Sequence, residues 1–426
     1  MKKNFIAGLL TGIGSALLLF VILGCFLIYV NGKEVGNKTS AEEISSKTST
    51  EETSSTTADN KETEKISYDK IVTKLEFLHS LVDQVYLNET KDISFEDGIY
   101  KGFIKSLDDP YSTYYTKEEY SALMESSSGV YCGIGALVTQ DDKTGIITVV
   151  KPFKGSPAYK AGILPGDIIF KVNKEAVTGV DLSTVVSNMK GVKGTTVDIS
   201  IVRENKADPI EFTITRQNVE VPTIEYKMLD NKLGYIAITE FDEITVEQFV
   251  AAVDDLEAKG MKGLIVDVRN NPGGLLNSVV KILDRLLPPE LIVYTEDKNN
   301  KREEEDATDA KKIKVPMAVL INGNSASAAE IFAGTLQDYK TATIIGTTSF
   351  GKGIVQKVIP LSDGTAVKLT ISKYYTPNGR NIHGIGITPD IKVELNEAMM
   401  KEVVIPIDKD NQLQKAITTV LGKIKK

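Results

Sequence analysis

The sequence predicts a multidomain α/β protein, and three observations carry that expectation. Residues 66–128 place apolar side chains at helical spacing, 129–215 break into short strands punctuated by glycine, and from about Arg216 buried strands alternate with amphipathic helices. At 426 residues, and about 150 residues per domain, two or three domains can each bury a sizeable core. A net charge of −8 with no long basic block excludes a general nucleic-acid binder. The two cysteines, Cys25 and Cys132, are too far apart to suggest a disulfide framework or a zinc site, so no metal or cofactor is expected. Histidine is limited to His79 and His383, which constrains any hydrolytic mechanism.

Met1 to Lys3 is basic, and the 26 residues from Phe5 to Val30 carry no charge. That exceeds the roughly 20 apolar residues needed to cross a bilayer. Basic residues ahead of the run place the bulk of the chain outside the cytoplasm. The expectation is a single-pass signal-anchor over 1–30. A cleaved signal peptide, giving a secreted protein, is the competing reading; no small-x-small site clearly closes the run, which is longer than the usual ~7–15-residue core. Leu23-Gly24-Cys25 faintly suggests lipidation, against which stands the apolar stretch Phe26 to Val30. Asn31 to Lys65 is Ser, Thr, Glu and Lys with little apolar content, and so reads as a disordered linker.

Over 66–128 a small helical domain is expected. Ile71, Leu75, Leu78, Val82 and Val85 recur at threes and fours, as do Ile99, Phe103 and Leu107, while Asp108-Asp109-Pro110 breaks the pattern before Lys117 to Met124 resumes it. His79 reads as an ordinary helix residue. From Gly129 short strands follow at Gly133 to Val138, Ile146 to Val150, Ile168 to Val172 and Val197 to Val202, with SPAYKAGILPGDIIF spanning Ser156 to Phe170. Residues 129–215 thereby resemble a PDZ domain. The resemblance implies that Gly133, Ile134, Gly135 and Ala136 offer main-chain N–H groups to a peptide's terminal carboxylate while the peptide adds as a strand. A plainer reading is that these glycines only permit a turn with positive φ.

Three loops in 216–395 carry candidate chemistry. The strand Gly263 to Val268 runs into Arg269-Asn270-Asn271-Pro272-Gly273-Gly274, with a helix expected over Leu275 to Leu287. Paired glycines allow close approach to a ligand, and fixed main-chain donors could bind an oxyanion there; a tight turn is the alternative. The β-prone run Val315 to Ile321 leads into GNSASAAE, Gly323 to Glu330, and an Ala-rich helix over Ala326 to Leu336. A serine at such a junction sits beside helical N–H groups that have no partners of their own, although an ordinary Ser N-cap has the same local sequence. The third loop, Thr347 to Gly353, sets Lys352 between glycines at the entrance to a strand. Gln356 would share its face through the two-residue period; a surface lysine in a turn is the alternative. His79 lies in the helical region, and no carboxylate precedes His383 as an obvious orienter, so Lys352 is the candidate base if burial lowers its pKa.

Together these residues resemble the carboxy-terminal processing (tail-specific) serine peptidases. The resemblance covers nearly everything from Ile66 onward: Leu107-Asp108-Asp109-Pro110-Tyr111, the PDZ motif, Asp267 to Gly274, Ser325 to Glu330, Phe350-Gly351-Lys352-Gly353 and Gly386-Ile387-Thr388-Pro389-Asp390. It implies a peptidase core of the crotonase/ClpP-like type over 216–395 and a C-terminal segment, 396–426, packed on the peptidase or helical region. It also implies Ser327 as nucleophile with Lys352 as base 25 positions on, Gln356 as its orienter, and an oxyanion hole at Gly273, Gly274 and Ala328 whose donors are the N–H groups of Gly274 and Ala328. Ala329 stands where the family often has another serine. The implied partners are protein substrates with accessible C-termini, the membrane, and a second copy of the chain bound through the helical region. The competing reading is a catalytically inactive PDZ scaffold that only binds peptides.

Overall fold

A computed structural model describes residues 66–308, 313–400 and 405–425. The expected anchor at 1–30 and linker at 31–65 lie outside the described residues, and no helix among the described residues is long and apolar enough to cross a membrane. The described chain divides into two units between Tyr100 and Lys101.

In the smaller unit, helix α1 (Tyr68–Val85) follows from its apolar spacing, yet none of its residues is buried. His79 packs edge-on against Phe95, 5.3 Å between ring centroids, and its Nδ1 lies 3.7 Å from Asp83 on an exposed surface. Helix α2 (Phe95–Lys105) leads into the larger unit. The helical-domain boundary expected at 128 therefore falls inside that unit. The reason is tertiary: strand β1 (Thr113–Tyr115) pairs with a strand more than 250 residues later in sequence, taking the Asp108-Asp109-Pro110 turn with it.

Helix α3 (Lys117–Ser128) starts in a capping box between Thr116 and Glu119 and stops at Gly129, whose φ of 70° suits glycine. Strand β2 (Val130–Gly133) opens the next region, where β3 (Ala136–Gln140), β4 (Ile147–Pro152), α4 (Pro157–Ala161), β5 (Ile168–Val172), β6 (Glu175–Ala176), α5 (Leu182–Met189), β7 (Thr196–Val202) and β8 (Ile210–Thr215) follow. The sheet order is β3-β4-β5-β7-β8, with β6 beside β5. Ile147, Val149, Ile169, Ile199 and Ile201 point inward at the two-residue period and meet Val185 and Met189 of α5. Strand β9 (Gln217–Glu220) returns antiparallel to β2, so the two ends of this region are hydrogen-bonded together.

The remaining elements are β10 (Ile224–Leu229), β11 (Leu233–Ile238), α6 (Glu243–Ala258), β12 (Gly263–Asp267), α7 (Leu276–Asp284), β13 (Leu291–Asp297), β14 (Arg302–Asp306), β15 (Met317–Ile321), α8 (Ala328–Asp338), β16 (Ala342–Gly346), β17 (Ile354–Pro360), β18 (Ala366–Tyr375), β19 (Ile391–Lys392) and α9 (Asn411–Ile424). One sheet runs β10-β11-β12-β15-β16-β19 and is parallel from β11 onward. Its strands send alternate side chains into two cores. Ile236, Leu264, Val266 and Val319 meet Phe249, Val279 and Phe332 of α6, α7 and α8, whereas Leu233, Ile265, Ala318 and Leu320 meet Leu413, Ala416 and Val420 of α9. Burial on both faces explains why these strands read as unbroken apolar runs. A second sheet, β1-β18-β13-β14 with β17 on β18, carries the chain that follows Lys352.

Candidate active site

The carboxyl ends of β12 and β15 are parallel neighbours, so the loops that leave them emerge side by side, where α/β sheets commonly hold ligands. Polar contacts join the two loops. The buried Ser325 hydroxyl donates to Val268 O at 2.8 Å, Ala326 N donates to Asn271 O at 3.0 Å, and Asn270 N donates to Asn322 Oδ1 at 2.9 Å. Ser325 thus has a structural task, while Ser327 remains half-exposed two residues on. Beneath the first loop, Arg269 donates to Asp267 and Asp410 and to Gln412 Oε1, which ties it to α9. Burial opposes the Arg269 charge, and the two carboxylates outweigh it, so the guanidinium stays ionised.

Helix α8 starts at Ala328 instead of the expected Ala326, which makes Ser327 the residue that precedes it. An N-cap residue normally has extended backbone. Ser327 does not: its φ is 53° and its ψ −116°, a sparsely populated region for a residue with a side chain. This distinguishes the junction from an ordinary cap and marks stored strain of the kind found at functional sites.

One carboxylate anchors that backbone to the lysine loop. Glu330, fully buried, accepts Ser327 N–H and Lys352 N–H on Oε2, each at 2.8 Å, and Gly351 N–H at 2.7 Å and the Ser349 hydroxyl at 2.6 Å on Oε1. The single hydroxyl proton of the buried Tyr374 is shared between the carbonyls of the same two residues, mainly Lys352 O at 2.5 Å, with Ser327 O at 3.2 Å. Sequence reasoning missed both anchors. Glu330 had a signal, since it stands three residues after Ser327 in a capping-box spacing; Tyr374, on β18, had none.

The Gly-Gly loop lies against Ser327. A Cβ on Gly273 would sit 2.8 Å from Ser327 Cβ and 3.0 Å from Ala328 N, and one on Gly274 would sit 2.4 Å from Phe241 O. Gly273 N–H is engaged by Asn271 Oδ1 at 2.8 Å, so this glycine's place in the site is steric. The N–H groups of Gly274 and Ala328 donate to no acceptor among the described residues.

Lys352 is half-buried, and its Nζ lies over the Tyr111 ring, 4.5 Å from the centroid. Burial and, secondarily, the charge of Lys368 lower its pKa, with Asp109 and Glu330 opposing. Gln356 is not placed as expected. Lys352 precedes β17, and a register shift between Val355 and Gln356 breaks the two-residue alternation. Gln356 Nε2 donates to Thr370 Oγ1 at 3.3 Å; no hydrogen bond or ion pair joins Lys352 Nζ to Gln356 or Ser327 among the described residues. His383 is exposed, and its main chain packs where a Cβ on Gly353 would be, 2.6 Å from His383 N.

In the β-rich region the expected strand Gly133 to Val138 is interrupted at Ile134 and Gly135, because Gly135 has φ 78° and a Cβ there would lie 2.4 Å from Ser156 Cβ. Two residues of the resulting turn, Ile134 and Ala136, line a cleft of about 370 Å³ together with Val138, Leu182, Val186 and Met189. Burial pushes the Tyr131 hydroxyl up to about 12, against main-chain hydrogen bonds from Ala136 and Gly135. Lys190, 5.0 Å from the Tyr131 ring centroid, pairs with Glu125 of α3.

Comparison with known proteins places this chain in a family. The profile of peptidase family S41 matches residues 232–393, a PDZ domain matches 132–214, and the N-terminal domain of the activating protease CtpB matches 21–119. The carboxy-terminal processing protease CtpA of Bacillus subtilis is 40% identical over 328 residues, covering 77% of this chain and 70% of that protein. The chain belongs to peptidase family S41. A carboxy-terminal-processing protease of Bartonella bacilliformis is also 39% identical, covering 72% of each. A solved protein from Bacteroides fragilis, assigned to the S41 proteases, matches at 17% identity with a TM-score of 0.50, over 76% of this chain and 90% of that one, and so shares the fold. This S41 chain is a multidomain α/β serine-type peptidase of the carboxy-terminal processing group, with a PDZ domain.

Proposed function

We propose that this S41 peptidase is a membrane-anchored endopeptidase that cleaves extracytoplasmic proteins by a Ser-Lys dyad. The observation that carries the reading is the Glu330 carboxylate, which holds the main-chain N–H groups of Ser327 and Lys352 on one oxygen atom. Ser327 Oγ attacks the scissile carbonyl, neutral Lys352 takes its proton, and the N–H groups of Gly274 and Ala328 receive the oxyanion. The protonated lysine then returns the proton to the leaving amine, and water resolves the acyl-enzyme. For this the Lys352 amine extends to Ser327 from its seat on the Tyr111 ring, and Gln356 leaves Thr370 to orient it.

Substrate capture by C-terminus is supported by the names of the relatives and by the turn Gly133 to Ala136, whose Ile134 and Ala136 line the PDZ cleft. Anchoring and an outward-facing catalytic domain rest on the uncharged run Phe5 to Val30 behind Met1 to Lys3. The exposed apolar residues Phe77, Leu78 and Leu81 of α1 suit a homodimer contact. The test is incubation of the full chain with unfolded casein. Discrete fragments from wild type and none from Ser327→Ala are expected. Fragments from both would remove Ser327 from the chemistry, and fragments from neither would favour the inactive-scaffold reading.

A further inference from the structure

The turn that presents Tyr111 to Lys352 is braced from both sides. Asp109 Oδ1 accepts Tyr111 N–H at 3.0 Å, and Asp109 Oδ2 accepts the Ser112 hydroxyl at 2.5 Å. Thr370 N–H on β18 donates to Ser112 Oγ at 3.1 Å, and Thr370 Oγ1 is also the acceptor for Gln356. Directly after the turn, β1 pairs with β18 in the register Thr113 to Lys368. Pro110 fixes its own φ, so the turn has little freedom left. A segment that reads in sequence as a helix break is therefore bolted to the strand beside the site, with one aromatic face under the Lys352 ammonium.

We propose that Tyr111 is a positioning residue for the peptidase reaction: its ring face seats the Lys352 side chain, and the Asp109–Ser112 turn holds that ring in place. This rests on the reading of Lys352 as the base. A lysine stem is long and flexible, and a cation over an aromatic face is ordered by the ring's quadrupole. The charged and titratable groups facing Lys352 then work in two directions. Tyr111, Asp109 and Glu330 favour the ammonium, while burial and Lys368 favour the neutral amine. Loss of the ring should disorder the amine and also weaken its hold on the proton. The rate should fall while its acid limb moves to lower pH. Damage to the fold alone would lower the rate without moving the limb.

The experiment measures hydrolysis of dye-labelled casein by the full chain across pH, for wild type, Tyr111→Phe, Tyr111→Leu and Lys352→Ala. Tyr111→Phe keeps the ring face and should stay within about twofold of wild type with its acid limb unmoved. Tyr111→Leu should lose about 10- to 100-fold in kcat with little change in KM, and its acid limb should move down by roughly half to one pH unit. Tyr111→Leu that matches wild type, or that loses activity with the limb in place, overturns the proposal. If Tyr111→Leu does not fold, Asp109→Asn gives the same readout, since it removes a carboxylate that favours the ammonium; an unmoved limb overturns the proposal there too. An active Lys352→Ala enzyme would sink the reading of the base itself, whereas an inactive one beside a normal Tyr111→Leu enzyme would sink only the seat.

Discussion

Ser327 and Lys352 are held by the same two side chains: Glu330 accepts both main-chain N–H groups, and the Tyr374 hydroxyl shares its one proton between the Lys352 carbonyl at 2.5 Å and the Ser327 carbonyl at 3.2 Å. The two residues lie on loops after different strands, so neither local segment could set their relative position. A buried carboxylate with four donors and a buried phenol with two acceptors fix it instead.

If Lys352 is the base, replacing it by alanine removes the proton acceptor, and replacing it by arginine leaves a cation that does not deprotonate. Both should lose nearly all turnover of an unfolded protein substrate with the thermal midpoint retained. His383→Ala should cost far less, because that side chain is exposed. Burial lowers the folded pKa of Lys352 below its ordinary value, so the active neutral amine accumulates as pH rises through that lowered pKa. The kcat/KM profile should rise across that range, below the pH where a free lysine titrates. A profile flat there, with an active Lys352→Ala enzyme, would falsify the dyad.

Glu330→Gln tests the shared anchor. An amide supplies one acceptor oxygen where the carboxylate has two, and turns its NH2 toward main-chain donors. The expected cost is about 2–5 kcal/mol of stability, with a loss of about 100-fold or more in kcat as Ser327 and Lys352 drift apart. Urea unfolding and initial rates measure the two effects, and full activity in Glu330→Gln would show that the anchor is dispensable.

Gly274 has φ 134°, and its Cβ position is occupied by Phe241 O. Gly274→Ala should push the loop away from Ser327 and displace the proposed oxyanion donor, lowering kcat by about 100- to 1,000-fold. Gly323→Ala is the control in the neighbouring loop. Its nearest contact is Thr348 O at 3.9 Å, and activity should stay near wild type. Equal losses in both variants would point to general disturbance of the loops.

The PDZ turn Gly133 to Ala136 is proposed to receive a terminal carboxylate. Amidating the C-terminus of a peptide substrate removes that charge, so affinity measured by calorimetry should fall about tenfold or more. Equal affinity for the free and amidated forms would make the region a gate or spacer.

Local sequence was sufficient for the class of the fold and for the loops that carry the candidate site. Two-sided burial wrote β12 and β15 as apolar runs, the two-residue period marked the β-rich region, and paired or flanking glycines announced the loops at Gly273-Gly274 and Lys352. Those signals are legible because burial and backbone freedom act on residues close together in the chain. The tertiary structure decided what depends on distant partners. It moved the Asp109 turn from a helical domain into the sheet of β18, gave Ser325 a structural role, and put Ser327 in a strained backbone. It also drew Gln356 to Thr370 through a register shift that no periodicity reveals, and it made Glu330 and Tyr374 the common anchors of the site. Hydrogen bonds between loops are set by which strand ends become neighbours, and that is a property of the assembled sheet rather than of any one segment.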